Sequence, residues 1–142
     1  MDLQYDSSLS VTDYNHLREA VGWGRLPEEQ AQIGLNRSDY VVRAGDGDRT
    51  VGMARVLSDG GCVAFILDVV VLPEYQRQGI GKTMLRMVME YLQEELQHRG
   101  VIYVGLMAAK GKEEFYQQFG FEQRPNDRLG AGMTQWLRSE TV

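Results

Sequence analysis

The run Val69-Val70-Val71-Leu72-Pro73-Glu74-Tyr75-Gln76-Arg77-Gln78-Gly79-Ile80-Gly81-Lys82-Thr83 leaves this chain few ways to fold. A β-branched strand ends at Pro73, a polar turn follows, and two glycines lead into a long amphipathic pattern. That is a strand, a loop and a helix in succession. The loop aims backbone N–H groups at the helix N-terminus, where such groups bind phosphate.

The rest of the composition narrows the setting. A chain of 142 residues is expected to form one domain, spanning 1–142, with a single core. Met1-Asp2-Leu3-Gln4 carries neither a basic nor an apolar leader pattern, and no stretch nears the ~20 apolar residues of a membrane span. No membrane association is expected. The single cysteine, Cys62, excludes an internal disulfide and suits a reducing cytoplasm. His16 and His98 are far apart, so no metal site is expected. The net charge of −5 argues against a nucleic-acid partner and suits a cationic substrate.

Along the chain, Leu3, Tyr5 and Ser7 suggest a first strand. Ser10 or Thr12 caps a helix whose apolar residues are Tyr14, Leu17, Ala20 and Val21, ended by Gly22-Trp23-Gly24. Pro27-Glu28-Glu29 starts a second helix, to about Asn36. Tyr40 to Ala44 and Val51 to Leu57 form a hairpin about Asp46-Gly47-Asp48. Cys62 to Leu72 is a long strand, apolar enough to suggest burial on both faces. The helix after Gly81 repeats Met84, Leu85, Val88, Met89, Leu92 and Leu96, and stops at His98-Arg99-Gly100. Val101 to Met107 is a further strand and Glu113 to Phe119 a short helix. Phe121 to Arg138 reads as two strands around the loop 125–130. The order β-α-α-β-β-β-α-β-α-β-β predicts an α+β fold with a mixed, mostly antiparallel sheet.

Two familiar phosphate motifs fail. A P-loop would need glycine where Gln76 stands, and the dinucleotide fingerprint would need glycine at Met84. The pattern Gln/Arg-x-x-Gly-x-Gly/Ala is met by Gln76-Arg77-Gln78-Gly79-Ile80-Gly81. With it come the preceding strand, the Pro73-Glu74-Tyr75 turn, and Phe115-Tyr116-Gln117-Gln118-Phe119-Gly120-Phe121 downstream. On these motifs, residues 40–122 resemble the GNAT superfamily of acyl-CoA-dependent N-acyltransferases. The segment Gly52-Met53-Ala54-Arg55 to Asp68-Val69-Val70-Val71 looks like its small bacterial members and the plant serotonin-type acetyltransferases.

The resemblance implies helices on both sheet faces and a central strand pair that splays near Val70. It implies acetyl-CoA as co-substrate. The amides of Arg77, Gln78, Gly79, Ile80, Gly81 and Lys82 would face its diphosphate, with Gln76 and Thr83 bounding the loop. The edge of Val69, Val70 and Val71 would pair with pantetheine. A backbone N–H near Val70 would polarise the acyl carbonyl. Tyr116 would protonate the leaving sulfur. The chain departs from the family pattern before this tyrosine, where Ala109 and Lys110 occupy positions at which relatives carry Asn. Lys110 and Lys112 could reach CoA phosphates or remain solvated.

Asp68 interrupts an apolar strand. It could bind the acceptor ammonium, take its proton through water, or pair with Arg55 as structure. Glu28 and Glu29 are alternative bases, and His16 reads as a surface helix residue. Trp23, Tyr40 and Trp136 could line an acceptor pocket or simply pack. The expected function is transfer of acetyl from acetyl-CoA to a primary amine of a small molecule by direct attack. A protein or peptide acceptor, or a non-catalytic acyl-CoA-binding module, would share the same loop. Many relatives are dimers, so a homodimer through Phe121–Arg138 is also an expectation.

Overall fold

The structure, a computed structural model, describes residues 1–140. Two compact units divide the chain, Met1–Leu106 and a second that begins at Met107.

The first unit is a five-stranded sheet in the order β1-β2-β3-β4-β5, with strands β1 (Leu3–Asp6), β2 (Tyr40–Asp46), β3 (Arg49–Ser58), β4 (Val63–Val71) and β5 (Tyr103–Leu106). The first three pairings are antiparallel and β4–β5 is parallel. The expected α+β class and mostly antiparallel sheet are therefore what the chain forms. Gly47-Asp48 closes the β2–β3 hairpin, with Gly47 at φ 58°, a conformation that glycine adopts without steric cost.

Helix α1 (Val11–Ala20) starts at Ser10, whose hydroxyl accepts the Asp13 N–H at 3.1 Å. Helix α2 (Glu28–Asn36) follows Pro27. Helix α3 (Ile80–Arg99) buries Ile80, Met84, Leu85, Val88 and Leu92, the helical-period stripe, and ends at Gly100. The two helical layers lie on opposite sheet faces. Gly52 lies against Met84 of α3, whereas Arg55, three residues on, reaches an Asp68 that also holds Tyr14 of α1. Among the described residues, no helix is long and apolar enough to cross a membrane.

Three expectations need correction. In α1, Asn15 and Arg18 are buried beside Tyr14 and Leu17, whereas Ala20 is exposed. Strand β4 is not buried on both faces. Ala64, Ile66 and Val70 are buried, but Phe65, Leu67 and Val69 are half-buried and Val63 is exposed. The expected strands within Phe121–Arg138 do not form.

The second unit contains helix α4 (Glu113–Gln117) and irregular chain beyond it. Its polar groups satisfy one another locally: Asn126 N–H donates to the Leu129 carbonyl at 3.0 Å, and the Asn126 side chain accepts the Arg128 and Leu129 N–H groups. A ribbon with no further strand beside it is marginal in water, so turn bonds replace the ladder.

Candidate active site

Strands β4 and β5 separate midway. Their pairing runs from Val63↔Tyr103 to Ile66↔Leu106 and stops, while β4 continues to Val71. The β5-facing edge of Leu67–Val71 is therefore unpaired within the sheet, which is the splay expected near Val70. On its other side β4 remains tied to β3 through Met53↔Val70 and Gly52↔Val71.

A β-bulge sits at the point of separation. Arg55 pairs with Leu67 and Met53 with Val70, so Asp68 and Val69 together oppose Ala54. Asp68 takes the left-handed conformation, φ 53°, which costs an L-residue about 1 kcal/mol. Three side chains hold it there. Its Oδ2 accepts a hydrogen bond from the Tyr14 hydroxyl at 2.7 Å and one from Arg55 Nε at 2.7 Å, and its Oδ1 lies 3.8 Å from an Arg18 nitrogen. Hydrogen bonds to an ionised group contribute about 1.5–3 kcal/mol each, enough to offset the backbone cost. Burial foremost, then the Asp68 charge and its hydrogen bond, raise the Tyr14 phenol above its ordinary value.

Tyr14 and Arg18 stand one helical turn apart on α1 and so share a face. Arg18 Nε donates to the Gly24 carbonyl at 3.0 Å, and its guanidinium lies over the rings of Tyr14 and Trp23 at 5.9 and 5.6 Å. Asn15 clamps the same α1–α2 loop, giving a hydrogen bond to the Leu26 carbonyl and taking one from the Leu26 N–H. Arg18 is a site residue that the sequence motifs do not single out. Its signal was its spacing from Tyr14, which places it where Asp68 needs a cation.

Below the strand, the chain turns through Pro73–Tyr75 and reaches α3. Leu72 N–H donates to Val51, and the Tyr75 hydroxyl to Asp46 at 2.7 Å, so the turn is anchored to β2 and β3. Arg77 and Gly79 both have positive φ, 65° and 84°. Gln76 Nε2 braces the loop on the Val71 carbonyl at 2.9 Å, and Thr83 bonds back to Gly79 through both N–H and hydroxyl. Gly79 is the N-cap of α3 and provides no side-chain cap. Among the described residues, no hydrogen bond uses the N–H groups of Arg77, Gln78, Gly79, Ile80, Gly81 or Lys82. Unclaimed amides at the positive end of a 20-residue helix suit a diphosphate.

In the second unit Tyr116 is buried, edge-on to Phe115 at 5.0 Å and to Phe121 at 6.3 Å. Burial pushes its phenol from 10.0 up to about 12, so it keeps its proton throughout the neutral range. The unfolded chain releases that proton first. Tyr116 therefore lowers stability as pH rises from about 10 to about 12.

His16, Glu28 and Glu29 are exposed. Tyr40 stacks on Tyr91 of α3 at 4.6 Å, across the sheet from Asp68, so it does not line a pocket there. Trp136 is 72% exposed beneath Arg138, and Cys62, Lys110 and Lys112 are exposed. Of the roles open to Asp68, pairing with Arg55 is present.

A family model described as an acetyltransferase (GNAT) domain matches residues 36–123. An uncharacterised N-acetyltransferase of Porphyra purpurea is 30% identical over 132 residues, covering 90% of this chain and 74% of that protein. A soybean (Glycine max) protein named as a histone acetyltransferase is 35% identical, covering 86% of this chain and 56% of its own. A GNAT-family acetyltransferase structure from Streptococcus pneumoniae superposes with a TM-score of 0.75 at 30% identity, covering 96% and 98% of the two chains.

The Asp68 cluster generates a prediction about stability. Asp68→Ala leaves two largely buried arginines without their carboxylate and should cost about 3 kcal/mol or more in urea unfolding. Asp68→Asn keeps an acceptor and should cost less. A neutral Asp68→Ala would show that the cluster does not hold the bulge.

Proposed function

Since the chain belongs to the GNAT superfamily of N-acetyltransferases, we propose that residues 1–142 act as one catalytic domain that acetylates the primary amine of a small molecule. The observation that carries this reading is the unpaired edge of β4 leading into a helix N-terminus whose amides have no acceptor.

Acetyl-CoA, the co-substrate the family implies, supplies an acetyl group activated as a thioester. The amides of residues 77–82 bind its diphosphate. The edge of Val69, Val70 and Val71 accepts the pantetheine arm as a neighbouring strand would be accepted, and a backbone N–H near Val70 that points away from β3 donates to the acyl oxygen. Asp68, at the start of that edge, takes the ammonium proton through water. Tyr116 returns a proton to the sulfur, a role supported by its being protonated throughout the neutral range. Direct attack by the amine needs no protein nucleophile.

A small acceptor is favoured by the enclosure around Asp68, where the Arg18, Arg55 and Asp68 side chains are 7%, 16% and 12% exposed. That admits a compact head group better than a peptide. The soybean relative, named as a histone acetyltransferase, supports a protein acceptor as the second reading. We propose a reducing cytoplasm for this chain, supported by its single unpaired Cys62. We also propose a homodimer, supported by the exposure of Met133, Trp136 and Leu137.

Incubation with acetyl-CoA and a mixed panel of small amines and lysine peptides, read by mass spectrometry, decides the acceptor. Acetylated small amines are expected, and products confined to peptides would overturn the first reading. Tyr116→Phe should lower kcat about 10²-fold with little change in KM for acetyl-CoA. An unchanged kcat would remove Tyr116 from the chemistry. Gly81→Asp should weaken CoA binding at least tenfold by charge repulsion at the diphosphate. Because an acid in the first turn suits the helix dipole, thermal stability should not fall. Equal CoA affinity in that variant would move the diphosphate elsewhere.

A further inference from the structure

The cluster under α1 carries an unbalanced charge. Arg18 and Arg55 are both largely buried, and among the described residues Asp68 is the one carboxylate within ion-pair distance of either. Two guanidiniums against one carboxylate leave one cation in excess. Arg55 spends its Nε on Asp68 and a terminal nitrogen on Ser38 Oγ at 3.2 Å. Arg18 spends its Nε on Gly24, and its nearest carboxylate oxygen is at 3.8 Å, beyond a good hydrogen bond. Its terminal nitrogens thus keep donors to give. The rings of Tyr14 and Trp23 soften the charge of Arg18 without cancelling it, and the Trp23 ring is itself 45% exposed.

We infer that this excess cation is a recognition element for the acceptor: the amine substrate also carries a carboxylate, which the Arg18 guanidinium binds beside Trp23. The inference rests on the acetyl-transfer reading above and names the class of amine within it. Planar guanidinium matches planar carboxylate through paired N–H donors. Asp68 sits in the bulge where the open edge of β4 begins. An amine and a carboxylate only a few bonds apart therefore suit the space between Arg18 and that edge. The Asp68 Oδ1, engaged among the described residues only by Arg18 at 3.8 Å, takes the ammonium of the same zwitterion. An amine with no anion would meet a net positive site and be disfavoured.

The test uses matched pairs, phenylalanine with phenethylamine and lysine with cadaverine. Their binding to the whole chain saturated with CoA is measured by calorimetry. Acetyl transfer from acetyl-CoA to the same compounds is followed in parallel by mass spectrometry. The amino acid of at least one pair should bind tenfold or more tighter than its decarboxylated partner. In Arg18→Gln, checked for folding by circular dichroism, that preference should fall to near parity while CoA affinity is unchanged. If the amines bind as well as the acids, or no acid binds at millimolar concentration, the inference is overturned. Should Arg18→Gln fail to fold, the wild-type pairs still decide. An acid preference without any acetylated product would leave the anion site standing and overturn small-amine acetylation instead.

Discussion

The hydrogen bonds that converge on the Asp68 carboxylate set the course of the central strand. Left-handed backbone at a non-glycine residue persists only where its surroundings impose it. Here Tyr14, Arg18 and Arg55 do so from one helix and one neighbouring strand. With the bulge in place, two residues of β4 answer one of β3, and β4 no longer keeps step with β5. Beyond the bulge β5 has ended at Leu106, so Leu67 to Val71 have no partner strand on that side and their edge is open to a ligand. A single partly buried carboxylate thus links the packing of α1 to the opening of the sheet.

The second half of the site depends on different physics. The turn 73–75 is held by bonds to β2 and β3, so the loop leaves the sheet in a fixed direction. Positive φ at Arg77 and Gly79 folds the loop so that side chains do not cap α3. The helix N-terminus is left with donors facing outward. Natural helices usually satisfy such groups, and the absence of a capping side chain is what makes this terminus available for a diphosphate.

The sequence showed the parts that depend on local periodicity and backbone preference. The apolar stripe of α3, the Ser10 cap, the hairpin at Gly47 and the Gln76–Gly81 loop are of this kind, each set by residues within a few positions of one another. What it hid depends on distant partners. Asn15 and Arg18 are polar residues of α1, yet they are buried, and the carbonyls of Leu26 and Gly24 return to meet them. The bulge is one extra residue in a strand, which alternation cannot register. Tyr40 carried an aromatic signal that fits a pocket or a core equally, and only the sheet face it occupies, against Tyr91, separates the two. Phe121–Arg138 reads as two strands, but a strand exists only beside another.

Net charge proves a poor guide to the local field. The chain carries −5, which suggests a cationic substrate. Yet the two places suited to small ligands, the α3 N-terminus and the Arg18–Arg55 cluster, are both positive. Exposed carboxylates farther away than about 8 Å are largely screened at physiological salt. Contacts to part-buried donors act at about 3 Å and in a medium less polar than water, where each is worth more. An acidic surface therefore does not prevent an anionic co-substrate from binding, nor an acceptor that carries a carboxylate. It confines their affinity to the places where donors are fixed by the fold, and so makes selectivity depend on the geometry around Asp68 and Gly79 and not on long-range attraction.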